Sequence, residues 1–330
     1  AKMSFKWELT GKTIVPILLD STMYLCAKIV VQPATLPYKL KFTITDETTG
    51  IARIELFDLT VLGPYGEGII VADTKDGLTS DLSLVMSREF TSQIPESNSQ
   101  VRIFRHIWSQ NNGGPLDGTV LDCITNSYGS NRSMTILTTE HILRADYYDY
   151  FNIEEEMDGG MFIVAPPHIG HQYTHGSFAM YSSRSDEIMN VNGKITIRSQ
   201  QQGVRKYNYT LYPSGVLDYD VTLMYAPEWC PAYCYDAKGK RMLFCDGGFW
   251  PAQPQTSVEK FDVRDLSDYE PFFLDEISQG VVLLAKQRST GLYKGLVMNV
   301  LRKNASNFAK TVFDFSSATE IQNAKFFDVN

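Results

Sequence analysis

The histidines form the sharpest cluster of residues that could carry chemistry. Three of the five lie within eight positions, at His168, His171 and His175. Imidazole is a common ligand of zinc, copper and nickel, so this cluster is a candidate metal site. It lacks the glutamate of the HExxH motif, and the preceding Pro166-Pro167 disfavours a helix that would hold the three ligands on one face. A polar loop between strands, with Tyr173 as an added contact, is the alternative interpretation.

Carboxylates form the second chemical group. Three consecutive glutamates, 154–156, are followed by Asp158. Two carboxylates roughly 5–10 Å apart across a sugar ring can hydrolyse a glycosidic bond. Consecutive side chains in one short segment are poorly placed for that task, so a solvated charged turn is the preferred interpretation. A glycoside hydrolase or lyase is the enzymatic alternative, with the candidate residues Glu154, Asp158, His171, Glu228 and Asp246.

The remaining motifs of common enzymes are missing from the sequence. There is no GxSxG elbow, no GxGxxG and no GxxxxGK[ST] phosphate loop. The formal net charge of −8 argues against nucleic acid as a partner, because a nucleic-acid binder neutralises phosphates with clustered Lys and Arg. No stretch approaches the roughly 20 apolar residues of a membrane helix. These features favour a non-catalytic protein, and no cofactor is predicted.

Aromatic side chains carry the argument for binding. Sugar rings stack their apolar faces on flat aromatic surfaces, while their hydroxyl groups need polar partners. Several tryptophans and tyrosines lie beside polar, glycine-rich or proline-containing segments, where loops are expected. The predicted ligand-binding residues are Trp108, Tyr147, Tyr148, Tyr173, Trp229 and Trp250. Packing within the sheets is the alternative interpretation for each of them.

The N-terminal region is predicted to consist of short strands. Residues 3–7 and 40–45 alternate between apolar and polar types, residues 24–30 form a β-rich run, and residues 52–57 follow a turn. Strands at this spacing, separated by turn residues, indicate a β-sandwich. We therefore expect a partial immunoglobulin-like sandwich over residues 1–62, ending at the break Gly-Pro-Tyr-Gly.

Five hairpin-like units follow this break. They begin at residues 68, 134, 188, 232 and 280, at intervals of 66, 54, 44 and 48 residues. The clearest has Asn192-Gly193 between two alternating runs, the strongest short-range hairpin signal. A four-stranded propeller blade needs roughly 40–50 residues. We predict an all-β protein with an irregular β-propeller over residues 63–330, in which residues 320–330 begin a further blade and the ring is incomplete. An array of sandwiches is the alternative.

The cysteines give no metal motif. The sequence has five cysteines, which is an odd number, and no two of them form a CxxC pair. Buried free thiols are the preferred interpretation. A bridge from Cys245 to either Cys230 or Cys234 is the alternative, if the protein is exported to an oxidising compartment.

Three segments resemble a known family. Residues 38–50, YKLKFTITDETTG, are similar to the late strands of PKD-like immunoglobulin domains. Residues 68–73 and 80–86 resemble the entry to a following propeller, and the sequence NGGPL at 112–116 also fits. Together they resemble the PKD-like surface lipoproteins of Bacteroidota, which are encoded beside the paired transporter and glycan-binding lipoproteins of polysaccharide-utilisation loci.

The resemblance implies a location and a role. It implies a lipoprotein of the cell envelope, at the outer-membrane surface or in the periplasm, that touches the membrane only through a lipid on an upstream cysteine. It implies a binding function, with a polysaccharide or peptide as ligand and the neighbouring outer-membrane transporter and lipoproteins as partners. A structural scaffold for envelope complexes is a further alternative.

Overall fold

The protein is described by a computed structural model, which divides the chain into two compact units. The described residues are 2–11, 14–31, 37–61, 63, 65–91, 94, 101–126, 133–147, 151–156, 160–164, 173–181, 186–198, 206–209, 218–227, 232–245, 249–251, 260–299, 309–318, 321 and 324. The first unit comprises Ala1–Ile69, Val85–Arg102 and Tyr147–Tyr150. The second unit comprises Ile70–Leu84, Ile103–Asp146 and Phe151–Asn330. Among the described residues, no helix is long and apolar enough to cross a membrane.

The first unit contains a four-stranded antiparallel sheet in the order β2-β1-β3-β4. Its strands are β1 (Met3–Gly11), β2 (Ile14–Asp20), β3 (Tyr38–Asp46) and β4 (Ala52–Leu59). Trp7 lies opposite Phe42, and the two rings stack with their centroids 4.0 Å apart. Among the described residues of 2–61 the strands form this one sheet, and the second layer of a sandwich is not seen there.

One strand prediction in this unit is wrong. Residues 24–30 form no strand, and the strand that pairs with β1 is β2. The carboxylate of Asp20 accepts hydrogen bonds from the backbone N–H groups of Thr22 and Cys26, at 3.0 and 2.9 Å, which turns the chain out of the sheet. β2 contains Pro16 and is an edge strand, where a missing N–H is tolerated.

Five further sheets follow, and we number them sheets 1 to 5. Sheet 1 contains β5 (Ile69–Asp73), β6 (Thr79–Met86), β7 (Arg102–Phe104) and β8 (Leu116–Asp117), with the helix α1 (Ile107–Asn112) between the last two. Sheet 2 contains β9 (Val120–Asn126), β10 (Ser133–Thr138), β11 (Ile142–Asp146) and β12 (Asn152–Glu156). Sheet 3 contains β13 (Phe162–Val164), β14 (Gly176–Tyr181), β15 (Asp186–Val191), β16 (Lys194–Arg198) and β17 (Tyr207–Tyr209).

The last two sheets have four strands each. Sheet 4 contains β18 (Val221–Tyr225), β19 (Ala232–Asp236), β20 (Arg241–Cys245) and β21 (Phe249–Pro251). Sheet 5 contains β22 (Tyr269–Ile277), β23 (Gly280–Gln287), β24 (Tyr293–Met298) and β25 (Ala309–Asp314). Neighbouring strands in sheets 2, 4 and 5 are consecutive in the chain and antiparallel. Of the predicted continuation at 320–330, only Ile321 and Ala324 lie within the described residues.

The five hairpins predicted from the sequence are confirmed. They are β5–β6, β10–β11, β15–β16, β19–β20 and β23–β24. The turn between β15 and β16 has positive φ at both central residues, 46° at Asn192 and 80° at Gly193. A type I′ turn requires this geometry, and Asn and Gly adopt it most easily.

Sheets 2 to 5 pack face to face in succession, which explains why their middle strands are buried on both faces. On β19, Ala232 and Cys234 pack against sheet 3, whereas Tyr233 and Tyr235 pack against sheet 5. One edge strand of each of these sheets, β9, β14, β18 and β22, contacts the corresponding strand of the next sheet in that order. Sheets that stack by their faces along one edge strand have the arrangement of propeller blades, and the predicted all-β fold is confirmed.

A buried polar network joins sheet 2 to sheet 3. Arg144 Nη1 of β11 lies 2.8 Å from Glu187 Oε1 of β15, and both side chains are at most 2% exposed. Glu187 also accepts hydrogen bonds from Asn126 Nδ2 at 2.8 Å and from the Tyr207 hydroxyl at 2.5 Å. Burial alone raises the pKa of Glu187, but the charge of Arg144 and these hydrogen bonds outweigh it, so the pKa lies below its ordinary value.

We expect Arg144→Met to lower the free energy of unfolding at pH 7 by about 3–5 kcal/mol, because it leaves the Glu187 carboxylate buried without a counter-charge. Urea unfolding followed by circular dichroism measures the change. The double variant Arg144→Met with Glu187→Met is the matched control and should recover most of the loss, because it removes both buried charges. A single variant within about 0.5 kcal/mol of wild type would show that the pair is not needed.

The same network predicts an acid-sensitive contribution to stability. Since the folded-state pKa of Glu187 is lowered, its stabilisation is complete above the unfolded-state value, about 4.5, and is lost as the pH falls through the folded-state pKa. Urea unfolding between about pH 6 and pH 3 measures it. Glu187→Gln should lose less stability than wild type over this range, and parallel pH profiles would contradict the assignment.

Candidate functional site

A cavity of about 370 Å³ lies in the second unit, between elements of sheet 1 and sheet 2. One wall is formed by Trp108 of α1 and by residues 112–117. The other wall is formed by Ile142 and Leu143 of β11 and by β12. Ligand sites usually occupy roughly 300–1,000 Å³, so this cavity has room for a small ligand.

The helix α1 places Trp108 in the wall. Ile107 and Trp108 are its buried residues, and the helix ends at Gly113, which has φ 79° and donates its N–H to the Ser109 carbonyl at 2.9 Å. Glycine adopts this left-handed conformation without steric cost, which explains why the helix stops there. Asn112 Nδ2 donates to the carbonyl of Trp108 at 3.3 Å and to that of Phe151 at 3.2 Å, so the end of α1 is tied to the start of β12.

Gly118 brings the two walls together. It has φ +84°, and a Cβ added there would lie 2.6 Å from Thr139 Oγ1 and 2.9 Å from the backbone nitrogen of Glu140. Only glycine allows the chain to pass this close to the turn between β10 and β11. The approach is fixed by hydrogen bonds on both sides of Gly118, since Thr138 Oγ1 donates to the Asp117 carbonyl at 2.7 Å and Thr119 N–H donates to Thr139 Oγ1 at 3.0 Å.

Polar side chains lie at the rim of the cavity. His141 Nε2 and Asp117 Oδ2 are 3.6 Å apart, and both side chains are well exposed. Glu156 of β12 is exposed and also lines the cavity. An apolar interior with a few polar groups at its edge can hold a ligand by its apolar face and orient it by hydrogen bonds.

Backbone strain is concentrated beside this cavity. Among the described residues, four that are not glycine have positive φ. Asn192 and Lys240 belong to the tight turns of hairpins. His106, with φ 54°, directly precedes α1, and Phe151, with φ 59°, directly precedes β12. Positive φ is unfavourable for bulky side chains and persists where the surroundings enforce it, often at ligand sites.

Trp108 is one of the predicted binding residues that the structure brings to the cavity, and its side chain is only 3% exposed. Tyr173 is 1% exposed and packs with Leu137 and Met189 in the core between sheets 2 and 3. Tyr173 therefore lies in the core and does not line this cavity, and its role as a ligand contact stays a prediction.

The other predicted aromatic residues are not brought to the cavity by the described structure. Tyr147 is half-buried and belongs to the first unit. Trp250 lies in β21, opposite Phe244 of β20. Tyr148 and Trp229 lie outside the described residues, so their role stays a prediction.

The predicted metal site is described only at His175. This side chain is exposed, and its Nδ1 lies 3.3 Å from Thr174 Oγ1. His168 and His171 lie outside the described residues. Elsewhere in the described ranges, no group of three or more His, Cys, Asp or Glu residues is arranged to hold a metal ion. The three-histidine site stays a prediction.

The acidic run forms a strand, so its prediction as a solvated turn is wrong. Asn152–Glu156 is β12, the edge strand of sheet 2. Charged residues are common on edge strands because they oppose pairing with another chain, which hides the strand in the sequence. Glu154 Oε2 lies 3.5 Å from Arg144 Nε. The other proposed catalytic residues, which lie outside the described part of the chain, are Asp158, His171, Glu228 and Asp246.

Sequence reasoning missed three of the residues at this site. Asp117, His141 and Ile153 carry no local motif, and they meet only because β8 pairs with β6 and β12 pairs with β11. The segment 112–116 and Trp108 gave the one usable signal, an aromatic residue followed by polar and glycine residues. No pattern in the sequence connects this segment to the opposite wall.

Comparisons with known proteins identify no family. No protein-family model matches the sequence, and no curated protein matches it. Similar solved structures include apo AztD from Citrobacter koseri, with 10% identity, coverage of 95% of each chain and a TM-score of 0.37. A second structure of Citrobacter koseri AztD has 7% identity, covers 94% of this chain and 97% of its own, and has a TM-score of 0.30. Likeness at this level supports no conclusion about function.

The four described cysteines form no disulfide with one another. Cys26 is exposed, Cys123 is half-buried, and Cys234 and Cys245 are buried on neighbouring strands without a bridge between them. The alternative of a Cys234–Cys245 disulfide is therefore wrong, and Cys230 lies outside the described residues. Burial and the neighbouring Asp122 carboxylate raise the pKa of the Cys123 thiol to about 11.

We expect iodoacetamide to modify Cys26 first when the native protein is labelled near pH 8, because the thiolate is the reactive form and must be reached by the reagent. Cys123 should react much more slowly, and Cys234 and Cys245 should react only after unfolding. Peptide mass spectrometry over a time course gives the order. Labelling of Cys234 at the rate of Cys26 would contradict the buried position of β19.

Proposed function

We propose that this protein is a non-catalytic binding protein of the cell envelope and that the cavity beside Trp108 captures a glycan, or a peptide of similar size. The cavity is the single observation that carries the proposal. It joins an aromatic ring to aliphatic side chains on two sheets and has polar groups at its rim. This combination suits a sugar, which has apolar ring faces and hydroxyl groups at its edge.

The strained segments support a ligand site at this place. His106 and Phe151 hold the ends of the two walls in unfavourable backbone conformations. Such strain costs of order 1–3 kcal/mol for each residue, and it persists where the surrounding structure enforces it, often at ligand sites. The carboxylate of Glu154, which was a candidate for acid/base catalysis, is engaged with Arg144. This engagement favours binding over hydrolysis.

The envelope part of the proposal rests on the family resemblance. The PKD-like surface lipoproteins act beside outer-membrane transporters and glycan-binding lipoproteins, and we propose the same setting for this chain. Its partners would be a polysaccharide or peptide ligand and those neighbouring envelope proteins. A lipid on an upstream cysteine would supply its membrane contact.

Filling the cavity tests the binding proposal. Gly114 lines it, has no positive φ, and an added Cβ there would meet no atom within 4 Å. We therefore expect Gly114→Phe to leave the fold intact and to weaken glycan binding at least about tenfold, because its ring would occupy the ligand volume. Retardation in native gels that contain polysaccharides, followed by calorimetric titration, measures the affinity.

Gly114→Ala is the matched control. It adds a single methyl group at the same position and should bind as wild type does. Equal thermal unfolding temperatures for the two variants would show that the fold is unaffected. Unretarded migration of wild type with every polysaccharide, or unchanged binding by Gly114→Phe, would remove the proposal.

A further inference from the structure

We infer that the cavity selects a positively charged sugar, a hexosamine with a free ammonium group, over a neutral hexose of the same shape. The inference rests on the proposed function, because it requires that the cavity hold a sugar. The charges and hydrogen-bonding groups that the cavity presents determine which sugar it prefers.

The charged groups at the cavity are predominantly acidic. Asp117 and Glu156 line it, and neither Lys nor Arg is among the described residues that do so. Asp117 has an exposed neighbour in His141, at 3.6 Å, whereas Glu156 has no hydrogen-bonding or ionic partner among the described residues. A ligand that supplies an ammonium group therefore provides the positive charge that the rim lacks.

Asn112 adds a further acceptor. Both of its donor bonds are used, since Nδ2 donates to the carbonyls of Trp108 and Phe151. A primary amide has two N–H donors and one carbonyl oxygen, so the oxygen is the group left for a ligand. The polar groups fixed at the cavity thus favour a ligand that donates hydrogen bonds, and an ammonium group donates three.

The walls of the cavity supply contacts that a charged and a neutral sugar share, since Trp108 is 3% exposed and the other wall is aliphatic. Beside Trp108, the side chains of Leu143 and Ile153 can hold the body of a sugar ring, while the rim carboxylates receive its ammonium group. A neutral hexose would keep the apolar contacts and lose the attraction between the ammonium group and the rim carboxylates.

The size of the expected preference follows from the exposure of the carboxylates. They lie at the rim, where water screens their charge, so one contact near 4 Å between the ammonium group and a carboxylate is worth about a fivefold gain in affinity. We expect glucosamine to bind about five to tenfold more tightly than glucose or N-acetylglucosamine at low salt. The preference should shrink at about 1 M salt, where charges are screened beyond roughly 3 Å.

Calorimetric titration with glucosamine, N-acetylglucosamine and glucose tests the inference on the full chain. Glu156→Gln should remove most of the preference for glucosamine over glucose, measured as the ratio of the two affinities. Glu270→Gln is the matched control, because Glu270 is an exposed carboxylate on β22 of sheet 5 and should have no effect.

The outcomes separate the two proposals. A glucosamine preference that is lost in Glu156→Gln and kept in Glu270→Gln supports the inference. Equal affinities for the three sugars, or tighter binding of a neutral one, overturn it and leave the proposed function in place, provided that Gly114→Phe weakens binding. Absence of binding by any sugar, with no effect of Gly114→Phe on polysaccharide binding, overturns both.

Discussion

The close passage of the chain at Gly118 is the constraint on which the candidate site depends. On one side, Gly118 N–H donates to the Leu78 carbonyl at 2.8 Å and Val120 N–H donates to Ser80 Oγ at 3.1 Å, which fixes the segment to sheet 1. On the other side, Thr139 N–H donates to the Thr119 carbonyl at 2.9 Å, which fixes it to sheet 2. A side chain at Gly118 would separate these contacts, because its Cβ would overlap Thr139. The distance between the cavity walls follows from this one position.

The sheets around this point are held together in two different ways. Sheets 4 and 5 share an apolar interface, in which Tyr233 and Phe244 pack against Leu283 and Met298. Sheets 2 and 3 share an apolar cluster and also the buried Arg144–Glu187 pair. A buried ion pair adds little net stability compared with well-packed apolar residues in its place. It does require that its two partners stay together, so few other arrangements of the two strands are allowed. We interpret it as a device that fixes the position of β11, the strand that carries both the ion pair and one wall of the cavity.

The sequence predicted the elements that depend on local chemistry. Asn192-Gly193 and the other turns located all five hairpins, because a turn is specified by the residues within it. The strands β2 and β12 were missed, since one contains Pro16 and the other is mostly charged, and both are edge strands that tertiary pairing creates. Trp108 was predicted as a site residue, whereas its partners across the cavity come from strands distant in sequence. Tyr173 was predicted from its polar surroundings in the sequence, but it lies in the core, because local composition does not report burial.

A crystal structure of the protein grown with glucosamine tests the central claim most directly, because it shows where a ligand lies without relying on a variant. We predict density for the sugar between Trp108 and Ile153, with its amino group toward Glu156 and the backbone near Gly118 unchanged. A sugar bound on another surface, or a cavity closed by movement of α1 onto β11, would contradict it.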